Sequence, residues 1–355
     1  MPKRRRPAKI PTPAWERPRG AIGQRILGRS FQLYGIVLAG LIVVVALGVI
    51  GFAYWSDYRA DQQRPHSTAV RVEDTKFDLQ YFSRRLKLFV DQNGGPGNQT
   101  ADPRVALPAV AETLIQEEIL RRFAGDLGVS ASEEEIKAEI ATQIGSTPDA
   151  TDFDVVFQSA LTRTGLTEEQ YRQLVLAVLL SRKVREKLGE GLPAAAESVH
   201  YRQILVNDDA AAQEIKGQVE GGGDFAALAR ERSLDTNTKD SGGDAGWVPR
   251  GTLEPSQEEL IFLLEPGQLT TIPLSQGGAV FVVQMLEKAA DRPVDDAQKP
   301  ALVQRAFRDW VQEKRQGLEI VNRMDLSSGD PDNLRWAVDH AYGQAAPAAS
   351  GQSGG

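Results

Sequence analysis

Hydrophobic positions fall into three regimes along the chain. From Gly35 to Trp55 run 21 residues without a charge, GIVLAGLIVVVALGVIGFAYW. At helical rise this covers roughly 31 Å, enough to cross a bilayer core. From about 70 to 190, apolar residues recur at three- and four-residue steps, the period of amphipathic helices. From 199 onward, short alternating runs interleave with short helical ones, the pattern of an α+β domain.

The middle regime opens with Val70-Arg71-Val72, which alternates as a short strand. Phe77, Tyr81, Leu86, Phe89 and Val90 then mark a helix that ends before Gly94-Gly95-Pro96-Gly97. Residues 106–124 carry Val110, Leu114, Ile115, Ile119 and Phe123 and stop at Gly125. Ser132, three residues before Glu135, forms a capping box for a helix stepping through Ile136, Ile140 and Ile144 and closed by Gly145. Phe153, Val156, Phe157, Ala160 and Leu161 mark the next helix, which ends at Gly165. Thr167 and Gln170 form a second capping box. It opens a helix with Tyr171, Leu174, Val175, Val178, Leu179, Val184 and Leu188 on one broad stripe. Such stripes are core faces between helices; a peptide-binding groove along them is the functional alternative.

In the third regime, residues 199–206 (VHYRQILV) alternate as a strand, 209–218 are helical, and Gly221-Gly222-Gly223 break the chain before a helix from Phe225 to Arg232. A Gly-rich polar loop follows, then a helix over 256–264, a turn at Pro266-Gly267, and strands at 269–274 and 279–286. Residues 297–316 form a last amphipathic helix with Val303, Ala306, Phe307, Trp310 and Val311, and residues 343–355 are low in complexity.

Charge gives the long apolar run its direction. Residues 1–30 hold nine basic residues against Glu16 alone, a net of +8, which leaves −15 for the remainder of a chain whose total is −7. Basic residues ahead of an apolar span stay cytoplasmic, so the body of the protein lies on the far side of the membrane. A cleaved signal peptide would have an apolar core of about 7–15 residues followed by small residues. Here the run ends in Phe52-Ala53-Tyr54-Trp55, so the reading is an uncleaved single-pass anchor. An acidic body repels phosphate backbones, which argues against a nucleic-acid partner.

Composition removes several chemistries. Without cysteine there is no disulfide, no thiol catalysis, no lipidated cysteine and no cysteine-based zinc site. The three histidines, His66, His200 and His340, are scattered, and no HExxH, P-loop or GxSxG pattern occurs.

Five segments of residues 199–288 stand in the order and near the spacing of one family. They are Arg202-Gln203-Ile204-Leu205-Val206, Gly223-Asp224-Phe225-Ala226-Ala227-Leu228-Ala229, Ser233-Leu234-Asp235, Ser241 to Trp247 with Arg250-Gly251, and Pro266-Gly267-Gln268-Leu269. This stretch resembles the parvulin (rotamase, PpiC-type) family of peptidyl-prolyl isomerases. The helices upstream resemble the chaperone module of SurA- and PrsA-like bacterial foldases, so the likeness covers about residues 70–316. It implies an α+β parvulin-like domain with a short antiparallel sheet and flanking helices, an all-α chaperone-like module and one N-terminal transmembrane helix. The corresponding division is a basic cytoplasmic segment (1–33), the transmembrane helix (34–55), a linker (56–68), the helical module (69–193), the parvulin domain (197–290), a C-terminal helical segment packing back on the helical module (295–340) and a disordered tail (341–355).

The resemblance places the catalytic positions on Gln203, Asp235 and Phe281 and the substrate-binding positions on Leu253, Gln257, Phe262 and Trp247, with no cofactor and no metal. Both histidines of the family are replaced. The first falls on Gln203; the second falls on Phe281, or on Val280 if the gap near Ile272-Pro273 is set differently. The family's pocket methionine falls on Leu253 and its phenylalanine on Gln257, while Asp235 matches the family's acidic position. His200 lies three residues from Gln203 on a strand and so faces the other way. Plain structural roles stand beside these: a satisfied amide for Gln203, a turn or cap for Asp235, packing for Trp247.

The function implied is a membrane-anchored, extracytoplasmic prolyl isomerase and foldase, with its N-terminus cytoplasmic. Its partners would be partly folded secreted polypeptides with X–Pro bonds, and the lipid bilayer through one helix. The alternatives are a parvulin-like chaperone that grips peptides without isomerising them, and an accessory membrane subunit that uses the fold for protein interaction.

Overall fold

Ser132 accepts a hydrogen bond from the Glu135 amide while the Glu135 carboxylate accepts from the Ser132 amide, and Thr167 and Gln170 do the same. Both capping boxes thus begin helices where the sequence predicts them. The computed structural model that shows this describes residues 62–274 and 277–343, with scattered positions between 45 and 59. The basic segment, most of the apolar run at 34–55 and the tail from 344 lie outside the described residues. No helix among the described residues is long and apolar enough to cross a membrane. The chain divides into two units, Met1–Ser67 and Thr68–Gly355, and the second holds everything described below.

The second unit begins with a hairpin, β1 (Thr68–Val72) and β2 (Thr75–Asp78). Helices α1 (Leu79–Gln92), α2 (Pro103–Phe123), α3 (Glu133–Ile144), α4 (Phe153–Thr164) and α5 (Glu168–Glu190) follow. Phe77, expected inside the first helix, lies in β2 instead. Asp78 is the reason: its side chain accepts the Tyr81 amide and fixes the helix start after it. The helical spacing of Phe77 and Tyr81 still brings their rings together, 5.9 Å apart. Gly145 and Gly165 end α3 and α4 with φ of +72° and +68°, the left-handed cap that glycine adopts without strain.

The apolar stripes of these helices meet in one core that includes Phe82, Leu86, Leu114, Ile119, Val175 and Val184. A buried ion pair joins α1 to α2. Arg85 grips Glu117 through two hydrogen bonds of 2.9 and 2.6 Å and also donates to the Tyr81 hydroxyl.

An α+β domain of seven elements comes next: β3 (Ala195–Val206), α6 (Asp209–Glu220), α7 (Phe225–Arg232), β4 (Asp244–Pro249), α8 (Pro255–Leu263), β5 (Leu269–Pro273) and β6 (Val280–Pro293). The strands form an antiparallel sheet in the order β4-β3-β6-β5. Two strands are longer than the alternation predicts. Residues 195–198 of β3 pair with 289–293 of β6, a ribbon held by backbone hydrogen bonds in a stretch too short of large apolar residues to show a period. The polar loop expected after α7 contains β4, whose sequence DAGWVP has no apolar alternation and whose pairing with β3 is interrupted by an irregularity before Trp247.

The chain then returns to the helical module. In α9 (Lys299–Arg315), Phe307, Trp310 and Val311 are buried in the module's core. Strand β7 (Ile320–Asn322) pairs with β1, and α10 (Pro331–Tyr342) packs on α1, with the Tyr342 hydroxyl donating to the Ala101 carbonyl. The helical module is therefore closed by α9, β7 and α10, with β7 paired to β1, and the α+β domain is inserted between α5 and α9.

Candidate functional site

Strand β3 has two faces, and the distinction decides which side chains can cooperate. Ile204 and Val206 turn toward α6 and α7 and pack with Ala212, Ile215, Phe225 and Ala229. Val199 and Tyr201 turn the other way, into a second cluster with Ile261, Phe262, Ile272, Val283 and Met285. Gln203 continues this second face by alternation.

Asp235 is brought to Gln203 by the turn after α7. The Ser233 hydroxyl accepts the Leu205 and Asp235 amides at 3.2 Å each, and the Leu234 amide donates to the Leu205 carbonyl at 2.8 Å. The Ser-Leu-Asp segment is thereby tied to the end of β3. The Asp235 carboxylate, 8% exposed, accepts from Gln203 Nε2 at 2.7 Å, from the Thr238 hydroxyl at 2.7 Å and from the Asn237 amide at 3.0 Å. Burial pushes its pKa up, but the bonds from Thr238, Gln203 and Asn237 outweigh that and hold it below the usual carboxylate value. Asp235 is at once a turn residue and the acceptor that orients Gln203.

Next to this network lies an apolar basin. Phe262 is buried, and Leu253 and Phe281 are half-buried against the same cluster. Phe281 sits opposite Leu205 and Ile272 in the ladder, on the face of Gln203. Val280 packs with the α6–α7 cluster on the other face, so of the two alignments for the second histidine position only Phe281 reaches the site. Gln257 is half-buried on α8. Trp247 is not brought here. It pairs with His200 across the ladder, and its ring lies 5.4 Å from the His200 ring with the Arg292 guanidinium 4.6 Å from its centroid. That is the opposite face of the sheet, so Trp247 packs and does not line the basin; its place in the sequence motif carries no information about its face. His200 Nε2 in turn lies 2.8 Å from an Asp244 oxygen.

Tyr201 belongs to the site and was not singled out in the sequence. It is 4% exposed; burial first, and the Asp235 charge second, raise its pKa to about 12. Two-residue spacing from Gln203 in VHYRQ was the available signal. The glycine pair of the 241–247 segment has a definite task. The Gly243 carbonyl accepts the Gln203 amide at 2.8 Å, and a Cβ at Gly243 would lie 2.5 Å from the Gln203 carbonyl oxygen. Only glycine lets this loop approach the strand that carries Gln203.

Two groups on this face have displaced pKa values: Asp235 is held below the usual carboxylate range, and Tyr201 is raised to about 12. A depressed carboxylate stabilises the fold above its unfolded pKa and loses that contribution as pH falls through its folded pKa. Neither Asp235 nor Tyr201 therefore changes charge between pH 5 and 8. Peptide affinity, and any kcat/KM for prolyl isomerisation, is expected to stay flat across that range; an inflection near pH 6–7 would show that an imidazole takes part.

An inserted four-stranded antiparallel α+β domain, with a carboxylate–amide network beside an apolar basin, defines a parvulin-like domain on a helical module. Comparison with known proteins agrees. Residues 32–185 match the SurA-like N-terminal domain family, and residues 206–285 match the PPIC-type PPIASE domain family. The second match includes Asp235, Leu253, Phe262 and Phe281 and begins just after Gln203. Foldase protein PrsA 2 of Bacillus cereus is 25% identical over 308 residues, 83% of this chain and 93% of that protein. Foldase protein PrsA of Caldanaerobacter subterraneus subsp. tengcongensis is 44% identical over 82 residues, 23% of this chain and 27% of the relative. Chaperone SurA of Burkholderia lata is 29% identical over 187 residues, 47% and 41% of the two chains. The chain thus carries a PPIC-type parvulin domain and a SurA-like N-terminal domain, and PrsA foldases are among its homologues.

Proposed function

We propose that this protein is a membrane-anchored extracytoplasmic foldase that binds partly folded secreted chains and accelerates rotation of their X–Pro bonds. The observation that carries the reading is the Asp235–Gln203 hydrogen bond beside the basin of Leu253, Phe262 and Phe281. An X–Pro amide rotates over a barrier of about 18–20 kcal/mol without cofactor or nucleophile. Catalysis asks for an apolar seat for the proline ring and for hydrogen bonds that favour the twisted amide over the planar one. The basin supplies the first. Gln203, oriented by Asp235, supplies the second, since a primary amide has an acceptor oxygen and a second N–H beyond the one that Asp235 holds.

The anchor at 34–55 rests on the charge-free run, the basic residues before it, and the aromatic rings at its ends, Tyr34 at one and Tyr54 with Trp55 at the other. With no cysteine for a lipid, this helix is what holds the body at the membrane. Alkaline carbonate washing should leave the full chain in the membrane pellet, with the body open to protease only from the non-cytoplasmic side. Release by carbonate contradicts the anchor.

A second reading has its own support. Gln203 and Phe281 occupy both histidine positions of the family, and Gln257 takes the place of an apolar ring, which favours a chaperone that holds peptides and rotates proline slowly. A refolding assay with a proline-limited client separates the two. Acceleration by the full chain that is lost in Asp235→Ala supports the isomerase. Suppressed aggregation without acceleration leaves the chaperone, and neither effect points to an accessory subunit.

A further inference from the structure

The loop that carries Leu253 is held from two directions. Glu258 on α8, only 5% exposed, accepts the Gly251 amide at 2.6 Å and, more weakly, the Leu253 amide at 3.5 Å, both on Oε2. A carboxylate this buried needs a cation nearby as well as amides. Two guanidiniums approach it. Arg250 is committed elsewhere, paired with Glu197 at 2.6 Å and lying over the Phe262 ring at 4.1 Å. Arg305 Nη1 stands 3.9 Å from Glu258 Oε1 and is buried without a hydrogen-bond partner of its own. Its Nε is fixed by Asp309 at 2.9 Å.

Arg305 does not belong to the α+β domain. It lies on α9, whose Phe307, Trp310 and Val311 are buried in the core of the helical module and whose Phe307 ring lies 3.6 Å from the Arg185 guanidinium of α5. The same helix presses Leu302 onto the loop: a Cβ at Gly251 would sit 3.1 Å from Leu302 Cδ2. One turn earlier, Gln298 donates to the Trp247 carbonyl. A helix rooted in one module therefore touches the other where the seat loop turns.

We propose that Arg305 is a positioning residue for the proline seat. By compensating Glu258 from α9, it sets the Gly251–Leu253 loop and makes the seat depend on the docking of the helical module. The pair borders a cavity of about 180 Å³ together with Arg250 and Phe262, so at 3.9 Å it acts by charge at short range and has room to tighten when a peptide fills the basin. This rests on reading the basin as a proline seat.

The test uses the full chain with Arg305→Leu and the charge-conserving Arg305→Lys. Amide hydrogen exchange at Gly251 and Leu253 should speed up by about tenfold in the leucine variant, with the Gln203 amide unchanged, because a lost charge partner weakens a buried carboxylate's hydrogen bonds. Affinity for a labelled Ala-Ala-Pro-Phe peptide should fall by roughly three- to tenfold, in KM and not in kcat, since the seat and not the amide network is disturbed. Lysine should restore most of both. Unchanged exchange at Gly251 and Leu253 overturns the proposal, and so does acceleration that extends equally to Gln203, the mark of general loosening. Exchange needs no turnover. A wild-type chain that fails to isomerise would therefore sink the isomerase reading while leaving this result legible.

Discussion

Gly243→Ala is expected to destabilise the α+β domain by roughly 3–5 kcal/mol, combining left-handed backbone strain with overpacking. The residue has φ of +84°, and its new Cβ would lie 2.5 Å from the Gln203 carbonyl oxygen and 3.2 Å from both the Ala229 Cβ and a Phe225 ring carbon. A backbone oxygen and a fully buried ring cannot step aside as the end of a flexible chain could. Relief would require the loop to leave β3, breaking the bond between the Gly243 carbonyl and the Gln203 amide. Gly246→Ala is the control: its φ is +70° but nothing lies within 4 Å of the added carbon. It should cost only the backbone share, about 1–2 kcal/mol. Denaturant midpoints at unchanged slope measure both. Equal costs at the two positions would mean that the close approach to Gln203 has no energetic weight.

The second large effect falls on Asp235→Ala. The substitution leaves the Gln203 side-chain amide, the Thr238 hydroxyl and the Asn237 amide without the acceptor they share. Gln203 and Thr238 are half-buried and Asn237 is exposed, so water takes up part of the lost bonding and the expected loss of stability is about 1–3 kcal/mol. Gln203 also loses its orientation, so the acceleration of proline-limited refolding should fall by about ten- to a hundredfold, the cost of about 1.4–2.8 kcal/mol in the transition state. Asp235→Asn keeps one acceptor oxygen and the shape of the turn. It should recover most of the stability and less of the activity, which separates holding the fold from orienting the amide. Activity within twofold of wild type in the alanine variant would remove the network from the mechanism.

Much of the local structure was legible because it is written in local chemistry. Ser132 with Glu135 and Thr167 with Gln170 announce helix starts within four residues, and Gly145 and Gly165 announce the ends. What was missed depends on partners far along the chain. Strand β4 exists because β3 pairs with it, not because DAGWVP favours an extended chain. Strand β7 is three residues long and forms only against β1. The start of α1 shifted because Asp78 outcompetes a helical period that Phe77 had seemed to begin.

The site divides in the same way. Sequence order places Gln203 and Asp235 in separate motifs 32 positions apart; their hydrogen bond exists because the Ser233 turn is tied to the end of β3. Strand alternation was enough to set His200 apart from Gln203, and it could have enlisted Tyr201. It could not place Trp247, because its strand had not been recognised. The role of Arg305 was beyond any local reading, since its helix is rooted in the other module.

In the proposed activity, a site lacking both family histidines still turns over X–Pro bonds, through a glutamine oriented by a carboxylate. Magnetisation-exchange NMR on a short peptide with one X–Pro bond reports cis–trans interconversion directly and needs no coupled enzyme. With the full chain added in catalytic amount at pH 7, exchange cross-peaks between the cis and trans forms should appear at mixing times where the free peptide shows none. They should persist unchanged at pH 5.5 and vanish with Asp235→Ala. Peptide resonances that broaden or shift on binding, with no exchange cross-peaks, would contradict the claim and leave a domain that holds proline without turning it.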